Sequence, residues 1–244
     1  MKRTLLVVLI AFAALSTYAQ KCYVVKADGS QLKAFDIKVK SPNGDLNVLV
    51  KQGQQPLLFS RNMYRFAVVP KPQQVEQLGA ALLADKYDDV LAASKQLYEA
   101  YKFLGWGDYI ACCQAQAYLG KNNFDEANKA LALAKRTPGP NREDIIETEI
   151  KCLIKAQKYD KTEELLKNLM MSKDDTIAAK AFNMRGEALL AQGQKKQAVL
   201  EYLKTLLLFD KKKAQAERAY AKKQAVAIMK ELKDPRVGKI EAME

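Results

Sequence analysis

Four small or apolar residues recur along this chain at an almost constant interval. Each lies in a stretch whose apolar residues follow the period of an α-helix. The four residues, separated by 37, 35 and 36 positions, are Val90, Ala127, Thr162 and Ala198. A helical unit of this length cannot bury its apolar face alone and is stabilised by stacking on its neighbours. The interval therefore predicts stacked helix pairs over residues 71–234 rather than one central core.

Residues 179–210 display the pattern within one interval most completely. Large and small residues alternate there in a fixed order: Phe182, Gly186, Leu189, Gly193, Ala198 and Tyr202. This order and its spacing resemble the tetratricopeptide repeat, in which two antiparallel helices are joined at a turn glycine. The alanine usual late in the second helix is Thr205 here, and the closing proline is absent.

The same frame fits three units upstream, so the resemblance covers residues 73–233. It implies a mostly α protein whose α-α superhelix contains about four helix pairs. A long alanine- and lysine-rich helix over Ala214–Lys233 is expected to cap the last pair, and residues 235–244 are expected to form a loose tail. Small residues are needed where the two helices of a pair cross, and overpacking at Gly186 or Ala198 should cost about 1–3 kcal/mol.

Residues 20–70 have the alternation of β-strands instead. Apolar side chains occupy every second position in three runs: Phe35, Ile37 and Val39; Leu46, Val48 and Val50; Tyr64, Phe66 and Val68. Asp28-Gly29 and Asn43-Gly44 are dipeptides typical of hairpin turns. The chain is thus expected to begin its folded part with a small antiparallel β module, which Pro70-Lys71-Pro72 ends. So small a module buries little surface alone and should pack on the helices.

Residues 1–19 have the composition of an export signal. Lys2 and Arg3 precede an apolar run of 11 residues, Leu5 to Leu15, and small residues around Ala19 suit signal peptidase. The run is shorter than the roughly 20 residues that span a bilayer, although a retained anchor is the rival interpretation. Lys21 directly before Cys22 does not fit a lipoprotein site. We expect an exported protein, periplasmic or secreted, with no transmembrane segment after cleavage.

The chain is basic, with 40 lysines and arginines against 28 acids and a net charge of +12. Loss of the two basic residues of the signal leaves +10. Such a field favours anionic partners or an anionic envelope surface, although most lysines are accompanied by acids and are expected on solvated faces. Nucleic acid is not an expected partner of an exported chain.

Few residues suited to catalysis are present. The sequence contains no histidine, so Ser-His-Asp and Cys-His catalysis are excluded. The four cysteines lack Cys-x-x-Cys spacing, and no glycine-rich phosphate loop occurs. Cys112, Cys113 and Cys152 are expected to be buried free thiols, whereas a bond to Cys22 stays open. We expect no enzyme, no metal and no cofactor.

The resemblance places the partner-binding surface along the first helices of the pairs. The corresponding positions are Tyr109, Cys112, Gln116, Asp144, Glu147, Lys151, Lys180, Asn183 and Glu187. Some members of the family clamp a C-terminal carboxylate with lysine, asparagine and arginine at such positions. Cys112, Glu147 and Asn183 stand at the first of these positions, so this clamp is missing. A partner with both charges fits the groove better than a purely acidic tail.

Trp106, the one tryptophan of the chain, lies between Gly105 and Gly107 at a turn between units. It could be an exposed anchor for a partner, with about 2 kcal/mol or more of binding at stake. The favoured interpretation is that its indole packs beneath the preceding helix or against the β module.

Three functions are compatible with these features. The leading hypothesis is a non-enzymatic scaffold or adaptor in the bacterial cell envelope that binds a peptide or protein in the groove. A second is attachment to cell-wall or surface polyanions through the net positive charge. A third is a structural component that assembles through the ends of its repeats.

Overall fold

The computed structural model describes residues 22–243 of the chain. The predicted export signal, residues 1–19, lies outside the described residues. Within them, six strands are followed by ten helices, as the change of period after Pro72 predicts.

The strands form two antiparallel sheets of three strands each. The first has the order β2-β1-β6, with β1 at Cys22–Lys26, β2 at Gln31–Ala34 and β6 at Tyr64–Val68. The second has the order β3-β4-β5, with β3 at Asp36–Val39, β4 at Leu46–Leu49 and β5 at Leu57–Phe59. A short 3₁₀ turn, Arg61–Met63, joins β5 to β6.

Both predicted turns are present in this β module, and Gly29 and Gly44 have the positive φ angles that such turns require. Ile37 is buried as predicted. Phe35 and Val39 are exposed, however, so the expectation of one continuous alternating strand from Phe35 to Val39 was wrong. The chain leaves one sheet and enters the other at Phe35, and this bend interrupts the alternation.

The helices follow one another in antiparallel pairs. The first pair is α1 (Gln73–Leu83) and α2 (Tyr87–Tyr101), and the second is α3 (Gly107–Gly120) and α4 (Phe124–Arg136). The third pair is α5 (Arg142–Lys155) and α6 (Tyr159–Met170), and the fourth is α7 (Asp175–Ala191) and α8 (Lys195–Leu208). The expected capping helix is α9 (Gln215–Glu231).

The turn within each pair has one backbone geometry. A single residue adopts a positive φ of 56°, 57°, 57° or 75° in the four turns: Asp85, Asn122, Gln157 and Gly193 respectively. The amide that follows it donates to the carbonyl oxygen five residues earlier, as Lys86 does to Ala81 at 2.9 Å. This is the six-to-one bond of a Schellman helix end. The four positive-φ residues recur every 37, 35 and 36 residues, which is the interval of the buried anchors.

Packing also repeats from pair to pair. The anchors Val90, Ala127, Thr162 and Ala198 are fully buried, and each buried cluster joins helices that are neighbours along the stack. A side chain at Gly186 would lie 2.7 Å from the ring of Tyr202, so the close crossing predicted there is present. The predicted α-α superhelix is therefore confirmed, because the apolar core is a series of clusters that each join adjacent pairs.

The expected loose tail is instead a further helix, α10 (Val237–Glu241). Lys233 has a φ of 53°, and the Asp234 amide donates to the Met229 carbonyl oxygen at 2.9 Å, which repeats the turn of the four pairs. Ile240 packs on the core beneath α9. The capping helix and the tail therefore form a fifth, shortened pair. Pro235 directly follows the turn, and proline is well tolerated just before or at the start of a helix, so α10 can begin beyond it.

Cys22, Cys112, Cys113 and Cys152 are buried and unbonded to one another, as expected for the last three. Across residues 22–243, no helix combines the length and the apolar character needed to cross a bilayer.

Candidate partner-binding face

The first helices of the pairs lie side by side. α1 contacts α3, α3 contacts α5, α5 contacts α7 and α7 contacts α9, whereas the second helices make at most marginal contact with one another. When the first helices of successive pairs are in contact and the second helices are further apart, the stack curves, with the first helices on its concave side. The first helices therefore line the inner face of the curved stack, here called the inner face.

The structure brings most of the predicted groove residues together on the inner face, but not all of them reach solvent. Cys112 is 1% exposed and Asn183 is 4% exposed, so neither side chain is open to solvent on this face. Helical periodicity gives the direction of a side chain but not its depth, and the neighbouring first helices cover these two positions.

A chain of polar contacts crosses three pairs on this face. The Lys151 ammonium donates to the Gln116 amide oxygen at 2.7 Å and pairs with Glu147 at 2.7 Å. Lys180 pairs with the other oxygen of Glu147, and the Gln116 amide donates to the Thr148 hydroxyl at 3.0 Å. Burial alone would raise the pKa of Glu147, but the two ammonium groups outweigh it and lower that pKa. Both lysines are thus already engaged inside the protein.

Asp144 lies one helical turn before this network and is less well compensated. Burial and the nearby charge of Glu147 raise the pKa of its carboxyl, while the more distant ammonium groups of Lys180 and Lys71 act against that shift. No side chain of the described residues makes a hydrogen bond or ion pair with this carboxylate at contact distance. Asp144 is therefore a partly buried acceptor with unused capacity.

A second acceptor group lies further along the face. The Tyr220 hydroxyl, from α9, donates to Glu187 at 2.7 Å, and burial raises the pKa of Glu187. Next to it, the Tyr202 hydroxyl and the Asn183 side-chain oxygen are buried without a hydrogen-bond partner among the described residues. The sequence analysis named Glu187 and Asn183 for this face and Tyr202 only as a packing residue of the repeat. It did not name Tyr220, because a contact between units 33 residues apart leaves no pattern within one helix.

Trp106 is not on the surface. Its side chain is buried, its indole nitrogen donates to the Val69 carbonyl oxygen at 3.0 Å, and its ring meets Tyr109 edge to face. The packing interpretation is confirmed, since the indole lies in the cluster formed by α1, α2 and α3 and against the end of the β module. The Lys71 ammonium lies 4.4 Å from the centre of the Tyr109 ring, which brings the linker after the β module to one end of the inner face.

The thiols are poor candidates for chemistry. Burial raises the pKa of Cys112 and of Cys113 to about 12 and that of Cys152 to about 11. A thiol in this range is almost wholly protonated at neutral pH, and the thiolate is the reactive species. Among residues 22–243, no group of three or more histidine, cysteine, aspartate or glutamate side chains is arranged to hold a metal.

Comparison of the chain with family models, with curated proteins and with solved structures finds no match.

Replacing the carboxylate of Asp144 or of Glu147 by an amide should change the free energy of unfolding in opposite directions. The pKa of Asp144 is raised in the folded state, so its contribution to the free energy of unfolding falls as the pH rises above the unfolded value near 3.8. Asp144→Asn should therefore stabilise the protein at pH 7, with the gain shrinking toward pH 3. Glu147, with a lowered pKa, contributes stability above the unfolded value of 4.5 and loses it as the pH falls.

Glu147→Gln is consequently the matched variant of opposite sign, since it should destabilise at pH 7 and approach the wild type in acid. Urea unfolding at pH 7 and near pH 3.5 measures both. An Asp144→Asn protein that is less stable than wild type at neutral pH would contradict this account of the inner face.

Proposed function

We propose that this protein is a non-enzymatic scaffold of the bacterial cell envelope, of the tetratricopeptide type, that binds a peptide or protein partner along its inner face. The predicted export signal would deliver it to the periplasm or the exterior. One observation carries the proposal: the inner face combines an internally paired network with two partly buried carboxylates whose acceptor capacity the described residues do not fill. They are Asp144, which accepts no hydrogen bond from those residues, and Glu187, which accepts one, from Tyr220.

The energetics support binding rather than stability as the reason for these groups. A buried polar atom without a hydrogen bond costs about 1–3 kcal/mol, and unpaired groups of this kind are few in folded proteins. Burial likewise disfavours the charged forms of Asp144 and Glu187. A partner that supplies donors to these acceptors would recover part of this cost on binding.

The network explains why a preformed surface is available. Glu147 is held by two lysines, and Lys151 is held in turn by Gln116. Side chains fixed by such contacts lose less conformational entropy when a partner arrives, which favours affinity. The raised pKa values of the buried thiols and the absence of histidine leave the same face without a thiolate nucleophile or an imidazole base.

Site-specific photo-crosslinking in intact cells tests the proposal. A photoreactive residue at Lys155, exposed at the end of α5 beside the inner face, is compared with one at Lys167, exposed on the second helix α6. We expect an adduct of defined mass from position 155 and none from position 167. Equal labelling from both positions, or none from position 155, would argue against a partner on the inner face.

A further inference from the structure

A cleft opens on the inner face where α5, α7 and α9 come together. It has a volume of about 470 Å³, and its wall is partly aromatic and partly aliphatic. The residues that matter to its chemistry are Ile154, Lys155, Glu187, Leu190, Tyr202 and Tyr220. Its volume is large enough to take a long side chain with the end of a peptide segment.

Glu187 supplies the charge of the cleft. Its carboxylate accepts one hydrogen bond from a described residue, that of Tyr220, although a carboxylate offers about four acceptor sites. The adjacent Tyr202 hydroxyl, on a residue with 0% exposure, has no partner. The cleft thus holds one incompletely satisfied anion, and an unpaired hydroxyl is buried beside it.

The neighbouring cations Lys151 and Lys180 act on Glu187 only at a distance, and burial outweighs their effect on its pKa. Lys151 and Lys180 are both paired with Glu147. Lys155 lies on the wall of the cleft, but it is exposed and makes no ion pair with Glu187. A positive charge that entered the cleft would therefore meet a carboxylate that no ammonium group already occupies.

The aromatic wall favours the same kind of ligand. Tyr220 is 38% exposed, and its ring rests edge-on against the buried ring of Tyr202, with ring centres 6.3 Å apart. The face of an accessible tyrosine ring attracts cations. Ile154 and Leu190 offer apolar surface along which an aliphatic stem can lie while its charged head reaches a polar group. A carboxylate beside an accessible tyrosine ring at the end of an apolar slot matches a lysine or arginine side chain.

We propose that this cleft receives a basic side chain, lysine or arginine, of the partner that binds the inner face, with Glu187 as its counter-ion and Tyr220 as its aromatic wall. The proposal rests on the proposed scaffold function and names the chemistry of the partner. It also runs against the overall charge of +12, which at long range favours anionic partners. The net charge acts on a partner at long range, whereas the carboxylate in the cleft interacts with the single side chain that enters it.

The test uses the full chain after signal removal and two small probes, Nα-acetyl-arginine methylamide and its uncharged counterpart Nα-acetyl-citrulline methylamide. Binding is followed by NMR of the methyl groups of Ile154 and Leu190. We expect saturable shifts with the arginine probe and affinity at least about tenfold weaker with citrulline, because hydrogen bonds to a charged group are stronger than neutral ones.

Two variants define the role of the carboxylate. Glu187→Gln should weaken the arginine probe about tenfold or more, whereas Glu164→Gln, an exposed acid on α6, should leave it unchanged. Equal responses to both probes on the wild-type protein, or no shift of the cleft methyls, would overturn the proposal without any variant. Crosslinking from position 155 together with such a result would leave the scaffold function standing and reject the basic anchor alone.

Discussion

Trp106→Ala is expected to lower the free energy of unfolding by about 3–5 kcal/mol, the range for removing a large buried aromatic side chain. The indole lies in the cluster formed by α1, α2 and α3 and is 7% exposed. Its nitrogen also donates to the Val69 carbonyl oxygen, at the end of the β module. The variant loses the packing of the ring and leaves that carbonyl group without its donor.

The same residue holds the β module on the helices. The Val69 amide donates to the Leu104 carbonyl oxygen at 3.3 Å, and a side chain at Gly105 would lie 2.7 Å from the Ala67 carbonyl oxygen. Gly105 has a φ of 85°, which glycine adopts without steric cost. The turn that carries Trp106 is therefore packed closely against β6. Loss of the indole should destabilise this contact between the β module and the helices before the rest of the fold.

Trp106→Phe is the matched control, because it keeps most of the ring and removes the N–H donor. Its loss should be clearly smaller, near the roughly 0.5–1.5 kcal/mol of one hydrogen bond plus a partial cavity. Urea unfolding followed by circular dichroism measures both variants. If Trp106→Ala kept the stability of the wild type but lost crosslinking from position 155, the residue would be a partner anchor after all.

The fold could be predicted from the sequence because its repeat is imposed by local geometry. A close helix crossing needs a small or well-fitted residue, and this requirement returns in every pair as Val90, Ala127, Thr162 and Ala198. The turns within the pairs were harder to predict from the sequence. All four have a residue with positive φ, but only Gly193 is a glycine, and the other three positions hold Asp85, Asn122 and Gln157.

The sequence predicted which face of each helix a candidate residue lies on, but not whether its side chain is exposed or buried. Helical phase placed Glu147, Lys151 and Glu187 on the inner face, where the structure has them. Phase alone cannot say that Cys112 lies beneath the surface, because this depends on how closely α5 approaches α3. The partners Tyr202 and Tyr220 come from other helices, and α10 is too short to show a period of its own.

A buried acid that the sequence analysis passed over, Asp108, joins two of the pairs. Its carboxylate, with 0% exposure of the residue, accepts from the Asn141 amide nitrogen at 3.0 Å and from the Asn141 side chain at 2.8 Å. Asn141 precedes α5 and also donates to the Gly105 carbonyl oxygen at 2.8 Å. The start of α3 is thereby fastened to the start of α5, and this fixes the spacing of two helices on the inner face.

Asp108→Ala is expected to lower the free energy of unfolding by about 2–5 kcal/mol. The change removes the acceptor of two donors on Asn141, and a buried donor left unsatisfied costs about 1–3 kcal/mol. Burial raises the pKa of Asp108 despite these donors, so removal of the charge recovers part of the loss. Urea unfolding at pH 7 gives the value.

Asp160→Ala is the matched control, because Asp160 is also an acid in the first turn of a helix but is exposed. It should cost only about 0.3–1 kcal/mol, the effect of a negative charge near a helix start. Gly139→Ala provides an independent approach to the same joint, since its side chain would lie 2.3 Å from the Asp108 carboxylate. Should Asp108→Ala cost no more than Asp160→Ala, the fastening of α3 to α5 would not contribute to stability, and the inner face would owe its geometry to apolar packing alone.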